Sequence, residues 1–161
     1  MPDTTPGLAE RSDPRRFPFP PAIPIVALVL SFLIGLVWPL PLHRPHWVMW
    51  LGLALFIAPF FFAFWAARTF RRRGTPVNPL GKVTGIVDEG PFAITRNPMY
   101  LSLMVMYVGG ALLFDLPFAW VLLIPVFLAL DLGVIRREER YLATAFGEPY
   151  LRYKERVRRW I

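Results

Sequence analysis

Apolar residues in this chain fall in long blocks separated by charged stretches. Such blocks fit helices surrounded by an apolar medium. Four spans are read, at 22–42, 47–67, 98–114 and 118–135. Each approaches the ~20 residues that cross a bilayer core as a helix. Asp115, Leu116 and Pro117 separate the last two, a link that allows only a tight helical hairpin. His43 to His46 joins the first two. Between the second and third lie Gly74, Pro76, Pro79, Gly81, Gly85, Gly90 and Pro91, which make 74–97 an irregular connector. The final stretch, 136–161, is charged and amphipathic.

Residues 1–21 carry Pro2, Pro6, Pro14, Pro18, Pro20 and Pro21 with Arg11, Arg15 and Arg16, a composition expected to form a disordered cytoplasmic tail. The run after it follows basic residues as a signal peptide would, but it is long and lacks a small-residue cleavage site, so it is read as a retained anchor. The expected architecture is an all-α polytopic integral membrane protein. It has about four transmembrane helices, and residues 22–161 form a single domain behind the tail at 1–21.

Composition sharpens this picture. Hydrophobic residues make up 55% of the chain and aromatic ones 16%, an excess that calls for an apolar solvent. The net charge of +7 need not mean nucleic acid, because basic residues in membrane proteins gather on the cytoplasmic side. Arg68, Arg71, Arg72 and Arg73 follow the second span, the tail after the fourth is rich in arginine, and the links at 43–46 and 115–117 hold only Arg44. Both termini are therefore expected in the cytoplasm. The absence of cysteine excludes disulfides, zinc thiolates and thiol nucleophiles.

Candidate chemistry lies where the connector meets the third span. Asn97 before Pro98 is a helix-start signal, an amide able to cap free N–H groups followed by a residue with preset φ. A cap alone accounts for it. Arg96 and Tyr100 beside the Gly90-Pro91-Phe92 turn also place a cation, a helix N-terminus and a phenol together, a setting for a carboxylate or phosphate. A second group, Arg136-Arg137-Glu138-Glu139-Arg140-Tyr141, follows the fourth span. It reads either as a solvated face of weak ion pairs or as a site. Asp131, seven residues before Glu138, shares its face on a regular helix; it is either functional or bonded to a neighbouring Tyr, Trp or Arg.

The segment Gly90-Pro91-Phe92-Ala93-Ile94-Thr95-Arg96-Asn97-Pro98-Met99-Tyr100, an apolar hairpin, then Glu138-Glu139, Phe146-Gly147, Tyr150, Tyr153 and a closing Arg159-Trp160-Ile161 resembles the isoprenylcysteine carboxyl methyltransferase and phospholipid methyltransferase superfamily, in its bacterial form. The likeness runs from about Pro76 to the end. The family pattern is Arg-His-Pro-x-Tyr-x-Gly, and here Asn97 stands for His and Ser102 for Gly.

The resemblance implies a membrane-embedded S-adenosylmethionine-dependent methyltransferase. Arg96, Asn97, Pro98, Tyr100, Glu138 and Glu139 would bind the cofactor, with Glu138 and Tyr100 catalytic and the C-terminal tail closing over the rim. Glu138, Glu139 or Tyr141 would serve as base for an amine acceptor. The arginine-rich surroundings favour a lipophilic acid, methylated on its carboxyl group as in isoprenylcysteine; N-methylation of a phosphatidylethanolamine-type phospholipid is the alternative. Membrane lipids are the expected partners, with no nucleic acid and no metal. Two other classes stay open, a non-catalytic scaffold of the same fold and a transporter or channel subunit, the latter disfavoured because polar residues scarcely enter the spans.

The remaining conspicuous residues have plainer readings. His43 and His46 lack a third ligand and read as interfacial. Phe60-Phe61-Phe62 and Phe64-Trp65 read as lipid contacts, Gly109-Gly110 as a close-packing site inside the hairpin, and the arginine run 71–73 as a topology anchor. Reporters fused at residues 1 and 161 are expected to read cytoplasmic and one at Asp115 to read external; a cytoplasmic signal at Asp115 would overturn the four-span arrangement.

Overall fold

A computed structural model describes residues 19–40, 44–72 and 85–161. Most of the expected N-terminal tail, His43, Arg73 and the connector from Gly74 through Gly81 lie outside the described residues. The described residues are helical with irregular links and no strand. Helix α1 runs Ala22–Val37, α2 His46–Arg72, α3 Pro98–Leu113 and α4 Pro117–Leu128. A π-helical segment, Ala129–Ile135, continues α4 directly into α5, Arg136–Phe146; α6, Glu148–Arg156, follows. A 3₁₀ turn, Gly90–Ala93, precedes α3.

Among the described residues two helices are long and apolar enough to cross a membrane, His46–Arg72 with 27 residues and the continuous Pro117–Phe146 with 30. Helices α1 and α3 have 16 residues each, a rise of ~24 Å at ~1.5 Å per residue against a hydrocarbon core of ~30 Å. The first apolar run is broken before its expected end: α1 stops at Val37, ahead of the prolines at 39 and 41. The second helix is longer than expected: it runs on through Gly52 and Pro59 and carries Arg71 and Arg72 in its last turn, ahead of Gly74 in the sequence. Large apolar side chains cover the outside, among them Phe61 at 72% exposure and Val121 at 71%. Such a surface needs lipid as its solvent. The chain is a membrane protein.

Two glycines set the closest helix contact. A Cβ on Gly52 of α2 would stand 2.6 Å from the backbone nitrogen of Leu113, and one on Gly109 of α3 would collide with the backbone of Phe56. Residue 52 thus meets the end of α3 while residue 56 meets position 109, so the two helices run antiparallel with their backbones nearly touching. The expected hairpin contact at Gly109-Gly110 is corrected accordingly. Gly109 seats α3 on α2, and Gly110 faces the Leu28 side chain of α1. The hairpin itself is tied by a side chain, Tyr107, whose hydroxyl donates to the carbonyl of Ala119 over 2.8 Å.

Around Tyr107 lies the membrane core of Ala27, Ala111, Leu116, Ala119, Val126, Leu130 and Val134. At one end of the bundle Arg44 pairs with Asp115 at 3.3 Å and reaches the free carbonyl of Leu113, so the two short links share a side. At the other end a second core of Ala66, Val87, Phe92, Tyr150, Tyr153 and Val157 joins α6 to the 3₁₀ turn and the end of α2.

Gly109→Ala is expected to lower stability by at least about 2 kcal/mol, because the clash is with backbone that cannot turn aside. Gly35→Ala in α1, where an added Cβ meets nothing within 4 Å, should change it by no more than ~1 kcal/mol. Unfolding midpoints of both variants in detergent provide the check.

Candidate functional site

Helix α3 begins after a four-residue link beyond the 3₁₀ turn. Gly90, at φ 60°, occupies the left-handed region and packs its bare Cα against Thr69 and Trp65 of α2. Phe92 stacks on Phe70 with ring centroids 4.4 Å apart, and its carbonyl accepts the Tyr153 hydroxyl at 2.8 Å. Pro98 stands at the first helical position as expected. Asn97, however, makes no side-chain cap. Its Nδ2 donates instead to the carbonyl of Arg159 at 3.0 Å, and its own N–H is taken by Thr95 Oγ1 at 3.1 Å. The amide is diverted because the C-terminal segment offers a buried carbonyl that needs a donor.

That segment lies along the residues just before α3. The Arg96 N–H donates to Arg158 O at 3.0 Å, and Thr95 Oγ1 donates to Arg159 O, also at 3.0 Å. Arg158 and Arg159 are thereby stitched onto the Thr95-Arg96-Asn97 strip, and the side chains of Arg159 and Trp160 reach the acids of the site.

The structure brings the two sequence motifs together. Tyr100 OH donates to Glu138 Oε2 at 2.8 Å. Arg96 Nη1 lies 3.3 Å from Glu139 Oε1, with side chains only 9% and 7% exposed. Arg159 grips Glu139 with a fork, Nε to Oε1 at 3.0 Å and Nη2 to Oε2 at 2.8 Å. This bond to Glu139 raises the Arg159 pKa above its ordinary value. The approach of Arg96 to Glu139 is a charge contact without hydrogen-bond alignment. Arg96 Nε and Nη1 are buried donors with no acceptor among the described residues. The guanidinium is ion-paired with Glu139 and hydrogen-bonded with Tyr150, but two buried donors without an aligned acceptor are costly, and an external carboxylate would satisfy them.

Asp131 and Glu138 do not share a partner. The π-helical segment winds less per residue than an α-helix, so the register slips by about one position and Glu139 falls on the side of Asp131. Arg159 bridges the two, its Nη1 3.5 Å from Asp131 Oδ1. Asp131 also accepts from Arg136 Nε at 2.8 Å and Trp160 Nε1 at 3.2 Å. The reading of Asp131 as bonded to a neighbouring Trp or Arg matches this geometry. Ser102, at the position of the family glycine, is buried and returns its hydroxyl to Pro98 O at 2.9 Å within its own helix.

Sequence reasoning assigned no task to Thr95 or Trp160, and it met Arg159 and Tyr150 only as parts of a resemblance. Burial pushes the Tyr150 phenol up to about 12; the Glu139 charge adds to the shift and Arg96 opposes it. Tyr150 therefore keeps its proton at physiological pH. Tyr153 is raised also, mainly by burial.

Residues 47–149 match the family described as phospholipid methyltransferase. The chain belongs to this family. The matched stretch of this phospholipid methyltransferase family member contains Arg96, Tyr100, Glu138 and Glu139 and ends before Arg159. An uncharacterized protein of Haemophilus influenzae is 41% identical over 63 residues, which is 39% of this chain and the whole of that protein. No solved structure matches. The family makes this chain a membrane methyltransferase in general terms.

Tyr153→Phe is expected to cost about 1 kcal/mol of stability through the orphaned Phe92 carbonyl. Arg156→Gln, which breaks the exposed pair with Asp88, should cost less than about 0.5 kcal/mol. Chemical denaturation in detergent separates them.

Proposed function

We propose that this family member transfers a methyl group from S-adenosylmethionine to a lipophilic acceptor at the cytoplasmic rim of the membrane. The observation that carries the reading is the pair of unsatisfied Arg96 donors beside the Tyr100–Glu138 pair. The cofactor bears a carboxylate, an ammonium, a sulfonium and a ribose diol, and this donor set matches it: a buried guanidinium for the carboxylate, carboxylates for the cations and hydroxyls. When bound, the cofactor supplies an electrophilic methyl carbon on a sulfonium.

The residues around that position orient and hold. Arg96 would take the carboxylate, with Asn97 and Pro98 fixing the helix start on which it stands. Tyr100 holds Glu138 Oε2 and leaves Oε1 to face a cation or to accept a proton. Glu139 completes the acidic wall. A carboxylate acceptor brings its own nucleophile, whereas an amine must first lose a proton, for which Glu138 is the available base. Catalysis here is chiefly positioning of two reactants that enter from different phases.

The membrane arrangement belongs to the same reading. Four crossings with both termini cytoplasmic, and the C-terminal tail closing the site, agree with the shared side of Arg44 and Asp115 and with the arginines at the opposite end. Residues 22–161 then act as one domain. Exposed Arg136 and Arg140 at the rim attract anions, which favours a lipophilic acid as acceptor and carboxyl O-methylation as the reaction. The family match supports a second reading, N-methylation of a phosphatidylethanolamine-type lipid, whose phosphate would meet the same arginines.

Calorimetry on the purified protein is expected to show S-adenosylmethionine binding that Glu138→Gln and Tyr100→Ala each weaken at least about tenfold, a ~1.4 kcal/mol loss. Arg72→Ala should leave it within about twofold. Unchanged binding in both site variants would reject the assignment. With isotope-labelled methyl donor, release of label from membrane lipids by mild alkali marks an ester product, and alkali-stable label marks an amine.

A further inference from the structure

Two arginines stand over one carboxylate. Arg159 takes both oxygens of Glu139 in a fork, while Arg96, within 3.3 Å of the same Oε1, makes no aligned hydrogen bond to it. The distribution is the reverse of what burial alone would select. Arg159 is 28% exposed and could be served by water, whereas Arg96 is 9% exposed and holds two donors without an acceptor. A fork on Glu139 would satisfy Arg96 better than the present contact does.

What prevents it is the anchoring of Arg159. Its carbonyl is held by Thr95 and Asn97, and its Nη1 is drawn toward Asp131, which Trp160 and Arg136 in turn fix. The guanidinium is thus presented to Glu139 in one orientation. The conflict is maintained by the fold.

We propose that Arg159 is a positioning residue that keeps Glu139 from closing onto Arg96, and so holds Arg96 open for the carboxylate of the ligand. The proposal rests on the methyltransferase reading above. Without the Arg159 fork, Glu139 turns, converts its 3.3 Å ion pair with Arg96 into an aligned hydrogen-bonded fork and fills the anion site from within. Arg159 touches no ligand in this scheme; it acts by occupying a competitor.

The test measures binding of S-adenosylhomocysteine, which carries the amino-acid carboxylate, and of 5′-methylthioadenosine, which shares the nucleoside and lacks that carboxylate. The proteins are the unsubstituted chain, Arg159→Gln, Glu139→Gln and the double variant, all in detergent. Arg159→Gln keeps its main-chain carbonyl and the bonds to Thr95 and Asn97. It should bind S-adenosylhomocysteine at least about tenfold more weakly and 5′-methylthioadenosine within about twofold of the unsubstituted protein. Adding Glu139→Gln removes the competing charge, so the double variant should regain at least about threefold in S-adenosylhomocysteine affinity over Arg159→Gln.

A double variant no tighter than Arg159→Gln overturns the proposal. So does an Arg159→Gln variant that loses both ligands equally, since that result marks general loss of the site. If the unsubstituted protein binds S-adenosylhomocysteine and Arg159→Gln binds it as well, this inference fails alone. No binding by the unsubstituted protein would defeat the methyltransferase reading and the inference together.

Discussion

The polar cluster around Glu139 turns on the bonding of the last few residues to the strip that opens α3. Arg158 and Arg159 offer main-chain carbonyls to Arg96, Thr95 and Asn97, and the Arg159 side chain then forks onto Glu139. Three separate stretches of chain meet there, and none of them could bury its charges alone. Glu139 and Asp131 are acids set against an apolar bundle, and each would be expensive without a cation beside it. Arg136 and Arg96 each serve one of them, and the segment 157–161 supplies the cation that reaches both, together with the indole N–H of Trp160.

This clamp works only because the apolar bundle beneath it is rigid. Helices α2 and α3 touch through Gly52 and Gly109, where no side chain intervenes, and lipid offers no hydrophobic drive to hold helices together in its place. Close backbone packing and the Tyr107 bond to Ala119 therefore carry the association. They fix α3 in height and rotation, and with it the positions of Arg96 and Tyr100 at its start. The second core, around Phe92, Tyr150 and Tyr153, carries the same constraint across to α6.

The π-helical segment does a different job. A regular helix from Asp131 onward would set Glu138 beside it and leave Glu139 turned aside. The one-position slip divides the paired acids between two tasks. Glu138 goes to Tyr100, and Glu139 goes to the arginines. Adjacent acids on any α-helix stand about 100° apart, and the slip decides which of the two turns towards Asp131.

Much of the architecture was legible in the residues alone. Long apolar runs can only be helices in lipid, since every backbone group must bond within its own segment, and the turn at Asp115–Pro117 and the helix start at Pro98 follow from local sterics. Arg96, Tyr100, Glu138 and Glu139 could be named because their spacing around a hairpin is distinctive. Their partners could not. Which helix Gly109 would touch, whether Asn97 would cap α3 or bond to Arg159, and which acid would join Asp131 depend on contacts tens of residues apart and on a change of helical winding that no local preference encodes. Sequence determines which groups can bond and where the chain must be apolar. The choice among equally capable partners, with Arg159 taking Glu139 and Arg96 left unsatisfied, was made only when the folded chain fixed their distances.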